Sequence, residues 1–140
     1  MYPVPDRRLT PEENVRGAVE VFGLELVVEW CEALVRGDAS DDDSRYPDIA
    51  WLKGHIGWPD HWSRVWGARG LMHIGPPARP EIVIDALTDE AWRVREMALK
   101  VITRYDLDDP RGRVAKLLED PVERVRLQAK RALGVPPSAR

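Results

Sequence analysis

The chain has 140 residues and a mass of 16.0 kDa, room for one compact domain or one short repeat array. At 44% hydrophobic and 32% charged, it is too apolar for a disordered chain and too charged for a membrane protein. A lone cysteine, Cys31, excludes an internal disulfide and a cysteine-rich zinc site, and a net charge of −3 excludes a polycation.

No apolar run approaches the roughly 20 residues of a spanning helix and no signal sequence opens the chain, so a cytoplasmic protein without a membrane is expected. Charge is uneven. Residues 1–60 hold six basic and thirteen acidic side chains, residues 61–140 fifteen and eleven. Tryptophan is unusually frequent, and Trp51, Trp58, Trp62 and Trp66 fall close together.

Thr10-Pro11-Glu12-Glu13 reads as a helix start, with a hydroxyl cap, a first-turn proline and a glutamate three residues after the cap. Val15, Ala18, Val19 and Phe22 continue at helical spacing until Gly23. Leu24, Val27, Val28, Cys31, Leu34 and Val35 line a second helix that Gly37 ends. Residues 38–47 are polar, aperiodic and read as a loop. Asp48 caps a short helix expected to reach Ile56, and Gly57-Trp58-Pro59 turns the chain into another that ends near Ile74-Gly75. Beyond Pro76 and Pro77, Pro80 opens a short helix to Leu87, followed by a longer one from about Glu90 to Tyr105. A turn at Asp108-Asp109-Pro110 precedes a short helix to Leu118 and a last helix from Pro121 to Gly134. No segment alternates with period two. The expectation is one all-α domain of short–long helical hairpins.

Self-comparison finds a repeat. Residues 87–98 match residues 118–129 at an offset of 31 without a gap, in the pattern Leu-x-Asp-x-x-x-Arg-Val-Arg-x-x-Ala, and Val101-Ile102 falls on Ala132-Leu133. The valine, alanine and apolar pair share one helical face, where the alanine admits a neighbouring helix. An earlier, degenerate copy aligns at an offset of 30, which lays Trp62 on Trp92 and Ala68 on Ala98 and keeps Arg69 off the close-packed position.

The copies carried by Asp89, Val94, Arg95 and Ala98, and by Asp120, Val125, Arg126 and Ala129, resemble HEAT-like repeats, particularly the short variety found in phycobilin lyases. The likeness is good over residues 80–134, partial over 48–75 and weak before that. It implies a short α-solenoid of about four hairpins: a divergent capping hairpin at 10–37, a degenerate repeat at 48–75 and two regular repeats at 80–105 and 111–134. It also implies a ladder between stacked repeats through Asp89, Arg95, Asp120 and Arg126. In the degenerate copy the ladder arginine falls on Val65 or Trp66, so the ladder is expected to end there. The resemblance supplies a scaffold, and such arrays mostly bind proteins along the face of each second helix.

Trp62, Trp66, Arg69 and His73 are spaced to form a stripe along that helix in the degenerate repeat, and Trp92 with Leu99 continues it one repeat later. Lys130 adds charge in the last repeat. Tryptophan and arginine are the usual material of binding hot spots, so these seven residues are the expected partner contacts. Packing of Trp58 and Trp62 at the junction with the first hairpin is the competing use for these indoles. The aspartates of residues 38–48 lack the EF-hand order, His55, His61 and His73 lack a ligand spacing, and Cys31 lies on an apolar face, so no metal, cofactor or catalytic group is expected.

The leading expectation is a non-catalytic scaffold or adaptor that binds a protein. The first alternative is a small-molecule or tetrapyrrole-binding accessory protein, or a lyase-like enzyme, with a pocket ringed by Trp58, Trp62 and His73. The second is a nucleic-acid binder using the arginine-rich final helices, with salt-sensitive affinity. Four hairpins are few for a solenoid, so a homo-oligomer is also compatible with the pattern.

Overall fold

A computed structural model of the chain describes residues 4–135. Among them are seven α-helices: α1 (Pro11–Phe22), α2 (Leu24–Arg36), α3 (His61–Ile74), α4 (Pro80–Asp85), α5 (Trp92–Tyr105), α6 (Arg113–Lys116) and α7 (Glu123–Ala132). No strand occurs among the described residues, so the fold is all-α. None of these helices is long and apolar enough to cross a membrane.

The chain ends of the helices follow local chemistry. Thr10 and Glu13 form a reciprocal capping box at α1, 3.0 and 3.2 Å between partners. Gly37 closes α2 with φ of 82°, a conformation glycine adopts without steric cost. The expected helix from Asp48 to Ile56 is only a 3-10 turn, Ile49–Leu52, which Asp48 caps through the Ala50 N–H at 2.8 Å. Lys53 ends the turn in the left-handed conformation, φ of 61°, and at Gly54 after it a Cβ would lie 2.5 Å from the Trp66 ring and 2.6 Å from Ile49. The backbone passes against an indole face that only glycine can approach.

Helix α3 is the centre of the fold, packed on α2 and α1 on one side and on α5 on the other, and α5 in turn packs on α7. The α2–α3 seam is close. Gly67 faces the Cys31 carbonyl and Leu34, and Gly70 faces the Cys31 sulfur. One continuous core runs through the seams, from Val15 and Leu34 through Leu71 and Leu99 to Val125 and Ala129.

The long helices begin at His61, Trp92 and Glu123, so the 31-residue spacing extends to the degenerate copy and the 30-residue register is corrected. Gly67, Ala98 and Ala129 are then equivalent, all small and all buried. Glycine fills the close-packed position even better than the alanine the alignment favoured. The same register makes Arg64 the counterpart of Arg95 and Arg126.

The arginine ladder therefore continues where it was expected to end. Arg64 Nε meets Asp89 Oδ2 at 2.7 Å, and Arg95 Nε meets Asp120 Oδ2 at 2.8 Å, each in a two-point contact. Each aspartate also accepts a backbone N–H at the start of its own helix, from Ala91 at 2.8 Å and Val122 at 2.9 Å. Arg95 and Arg126 donate in addition to the carbonyls of Asp89 (2.8 Å) and Asp120 (2.7 Å). Each rung thus fixes a turn and joins two long helices.

Candidate functional site

The six indoles divide into two groups. Trp30, Trp51 and Trp66 are buried, whereas Trp62 and Trp92 are half-buried and Trp58 is 46% exposed. Trp30 stacks on Tyr46, and Trp51 meets Phe22 edge to face. At the junction with the first hairpin it is thus Trp51, against Phe22 and Gly17, that packs, rather than Trp58 or Trp62.

The remaining indoles line up along the starts of the long helices. Trp58 packs on Trp62 with centroids 5.6 Å apart. The Arg93 guanidinium lies 5.2 Å from the Trp62 ring centre and 4.4 Å from that of Trp92, and the Arg124 guanidinium lies 5.3 Å from the Trp92 ring centre. The row therefore runs from a pair of rings into a cation, a ring and a second cation: Trp58, Trp62, Arg93, Trp92, Arg124. These distances fall within the range of cation–π attraction. In the 31-residue register Trp62, Arg93 and Arg124 are equivalent positions on α3, α5 and α7, so the repeat itself aligns them. Arg124 is held from below by Glu96, at 2.9 and 3.3 Å. The carboxylate of Glu96 is buried and balances one cation of the row.

Several predicted contacts lie elsewhere. Trp66, 3% exposed, and Leu99, 0% exposed, belong to the core and offer no surface, because α3 and α5 are covered on two sides. Arg69 is half-buried and donates to the Leu52 carbonyl at 2.7 Å; the surrounding protein removes water and lowers its affinity for its proton. His73 stands eleven residues from Trp62, about 16 Å along the helix. Burial lowers its pKa, with the positive charges of Arg69, Arg104 and Arg16 acting in the same direction against Glu12. Trp58, Trp62 and His73 thus do not ring one pocket. Lys130 is exposed on α7. Of the seven expected contacts, Trp62 and Trp92 share the row, and Arg93, Arg124 and Trp58 complete it.

The acidic loop is occupied by its own chain. Asp43 pairs with Arg45 at 2.7 Å, Ser40 donates to Asp42 at 2.9 Å, and Asp41 accepts the Gly57 N–H at 2.8 Å. Cys31 is fully buried, and burial beside Glu32 pushes its thiol pKa far up. A thiol held neutral in the core reacts poorly. Iodoacetamide is expected to leave Cys31 unlabelled in the native protein and to label it fully in denaturant; rapid native labelling would contradict the α2–α3 packing.

One structural contact left no clear trace in the sequence pattern. The Tyr105 hydroxyl, at the end of α5, is 2.8 Å from the carbonyls of Leu71 and Met72 and accepts the Gly75 N–H at 2.9 Å. It satisfies the end of α3 from the next repeat. Comparison of the chain with protein-family models and with curated proteins found no match.

Proposed function

We propose that this chain is a short HEAT-like α-solenoid that acts without catalysis, as a scaffold or adaptor, and binds a protein partner along the starts of its long helices. The observation that carries the reading is the row Trp58–Trp62–Arg93–Trp92–Arg124, which places half-exposed indoles and guanidiniums on one surface. The repeat pattern and the Arg–Asp rungs support the solenoid part of it. Desolvating a large, rigid indole gives much of the affinity of a typical hot spot. The Arg93 guanidinium between the rings favours a carboxylate, so the fitting partner offers an acidic side chain beside apolar ones.

Co-purification from the source cells, compared between the wild type and Trp92→Ala or Arg93→Ala, tests the reading. Each substitution is expected to weaken a specific partner at least about tenfold, corresponding to a hot-spot loss of roughly 1.4 kcal/mol or more, and to change the thermal midpoint little. Arg16→Ala, on the exposed side of α1, should leave the partner bound. An unchanged set of partners across the row variants contradicts the proposal. Loss of all binding at moderate salt together with recovery of nucleic acid would favour the nucleic-acid alternative.

A further inference from the structure

The long helices pack in the order α2, α3, α5, α7, and both ends of that series carry exposed flanks. At the first end, α2 turns Cys31 and Leu34 to α3. Glu25, Glu29 and Arg36 share the opposite flank at helical spacing, and all three are exposed. Arg36 pairs with Asp38 at 3.0 Å, which leaves the two glutamates to set the sign of the flank. A groove of about 740 Å³ runs beside them, lined by Leu24, which is 51% exposed, and by Val28, Pro76 and Ala78. At the last end, α7 buries Val125 and Ala129 and turns Glu123, Leu127 and Lys130 outward, with Arg126 and Arg131 on either side. Leu127 is 37% exposed.

The ladder also stops at this end. Arg64 and Arg95 each use Nε and Nη2 to hold an aspartate that stands just before the next long helix. Arg126, half-buried, donates from Nη1 to the Asp120 carbonyl, and among the described residues its Nε and Nη2 meet no acceptor.

We propose that the two ends bind each other between molecules: α7 of one molecule docks on the α2 flank of a second copy, head to tail. Arg126 and Lys130 then face Glu25 and Glu29, and Leu127 enters the groove beside Leu24 and Val28. Charge complementarity selects this occupant, because the α7 face sets Arg126, Lys130 and Arg131 against Glu123 alone, whereas the α2 flank keeps two carboxylates without a cation. Glu25, in the first turn of α2, offers its carboxylate near a helix start, as Asp89 and Asp120 do to Arg64 and Arg95. The second copy also extends the packing order by one more long helix. Such a contact joins unlike surfaces, so each molecule keeps one end open and the assembly grows beyond a dimer. None of these residues belongs to the indole row.

Analytical ultracentrifugation of the full chain tests the proposal. The wild type is expected to associate as its concentration rises toward about 1 mM, with species larger than a dimer. The double change Glu25→Ser and Glu29→Ser strips the α2 flank, and the double change Leu127→Ser and Lys130→Ser strips the α7 face. Each should weaken self-association at least about tenfold. An equimolar mixture of the two variants should recover a 1:1 complex of wild-type affinity, because one keeps the α7 face and the other the α2 flank. Arg126→Gln alone should also weaken association, and circular dichroism should show all three variants as helical as the wild type. A wild type that stays monomeric, leaving α7 to a different partner, would overturn the proposal. So would self-association that all the variants leave unchanged, or a mixture of folded variants no more associated than its parts.

Discussion

Gly67→Val is expected to lower the stability of the chain by more than about 3 kcal/mol, read as a fall in the urea midpoint. A Cβ at position 67 would stand 2.7 Å from the Cys31 carbonyl oxygen, 2.7 Å from Leu34 Cβ and 3.2 Å from the Val35 nitrogen. Those neighbours are main chain or its first side-chain atom, so no rotamer change can relieve the overlap. Helices α2 and α3 must move apart, and the core on both sides of the seam opens. Gly67→Ala should also destabilise, although alanine is favoured over glycine by about 1 kcal/mol inside a helix. Gly17 supplies the comparison, since a Cβ there meets only the Trp51 ring edge at 3.3 Å. Gly17→Ala is expected to be near neutral. A Gly67→Ala protein as stable as the wild type would show that the α2–α3 seam is looser than described.

The second large effect is expected at the inner rung of the ladder. Arg95→Met removes the partner of Asp120, whose side chain is only 4% exposed, against 13% for Arg95. The carboxylate then retains the Val122 N–H as its one hydrogen bond, and the loss should be about 3 kcal/mol. Asp120→Asn in the Arg95→Met background should recover part of it, because the amide oxygen can still accept from Val122 and no buried charge remains unpaired. Arg64→Met should cost less, since Arg64 and Asp89 are more open to water. Arg16→Met, which breaks the exposed pair with Glu12, should change stability by less than about 1 kcal/mol. Chemical denaturation of these variants checks the order. If Arg95→Met and Arg16→Met were indistinguishable, the rung would be a surface contact of no structural weight.

Much of this architecture is legible in the chain because its signals are local. The Thr10–Glu13 box, the glycines at 23 and 37, and the Asp108-Asp109-Pro110 turn mark helix ends through hydrogen bonds and backbone preferences within a few residues. Residues 87–98 and 118–129 reveal the 31-residue spacing because both copies keep the leucine, aspartate, Arg-Val-Arg run and alanine that set the turn and the close-packed face. The degenerate copy misleads for a physical reason. Its small residue is Gly67, and an alignment seeking an alanine shifts by one to reach Ala68, which carries Arg64 out of the ladder.

The indoles are harder to assign. Helical spacing places Trp62 and Trp66 on a common stripe, yet only the partners of α3 decide which flank is covered. Contact with α2, α5 and α1 leaves Trp66 inside and Trp62 at the edge. In the sequence Arg93 and Arg124 are legible only as part of the arginine-rich final helices, since their place in the row depends on rings of other helices brought beside them by the fold. The burial of Asn14 is invisible for a related reason: an asparagine between Glu13 and Val15 shows nothing of which helix flank the fold will cover.

The separation of lining-up surface indoles from core indoles can be measured by ¹⁹F NMR of the protein labelled with 5-fluorotryptophan, with a soluble paramagnetic agent added. Assignment by single Trp→Phe changes gives one signal to each ring. Trp58, Trp62 and Trp92 are predicted to broaden markedly, while Trp30, Trp51 and Trp66 stay sharp. Equal broadening of Trp66 and Trp92, or protection of Trp62 and Trp92 together, would contradict the proposed binding row.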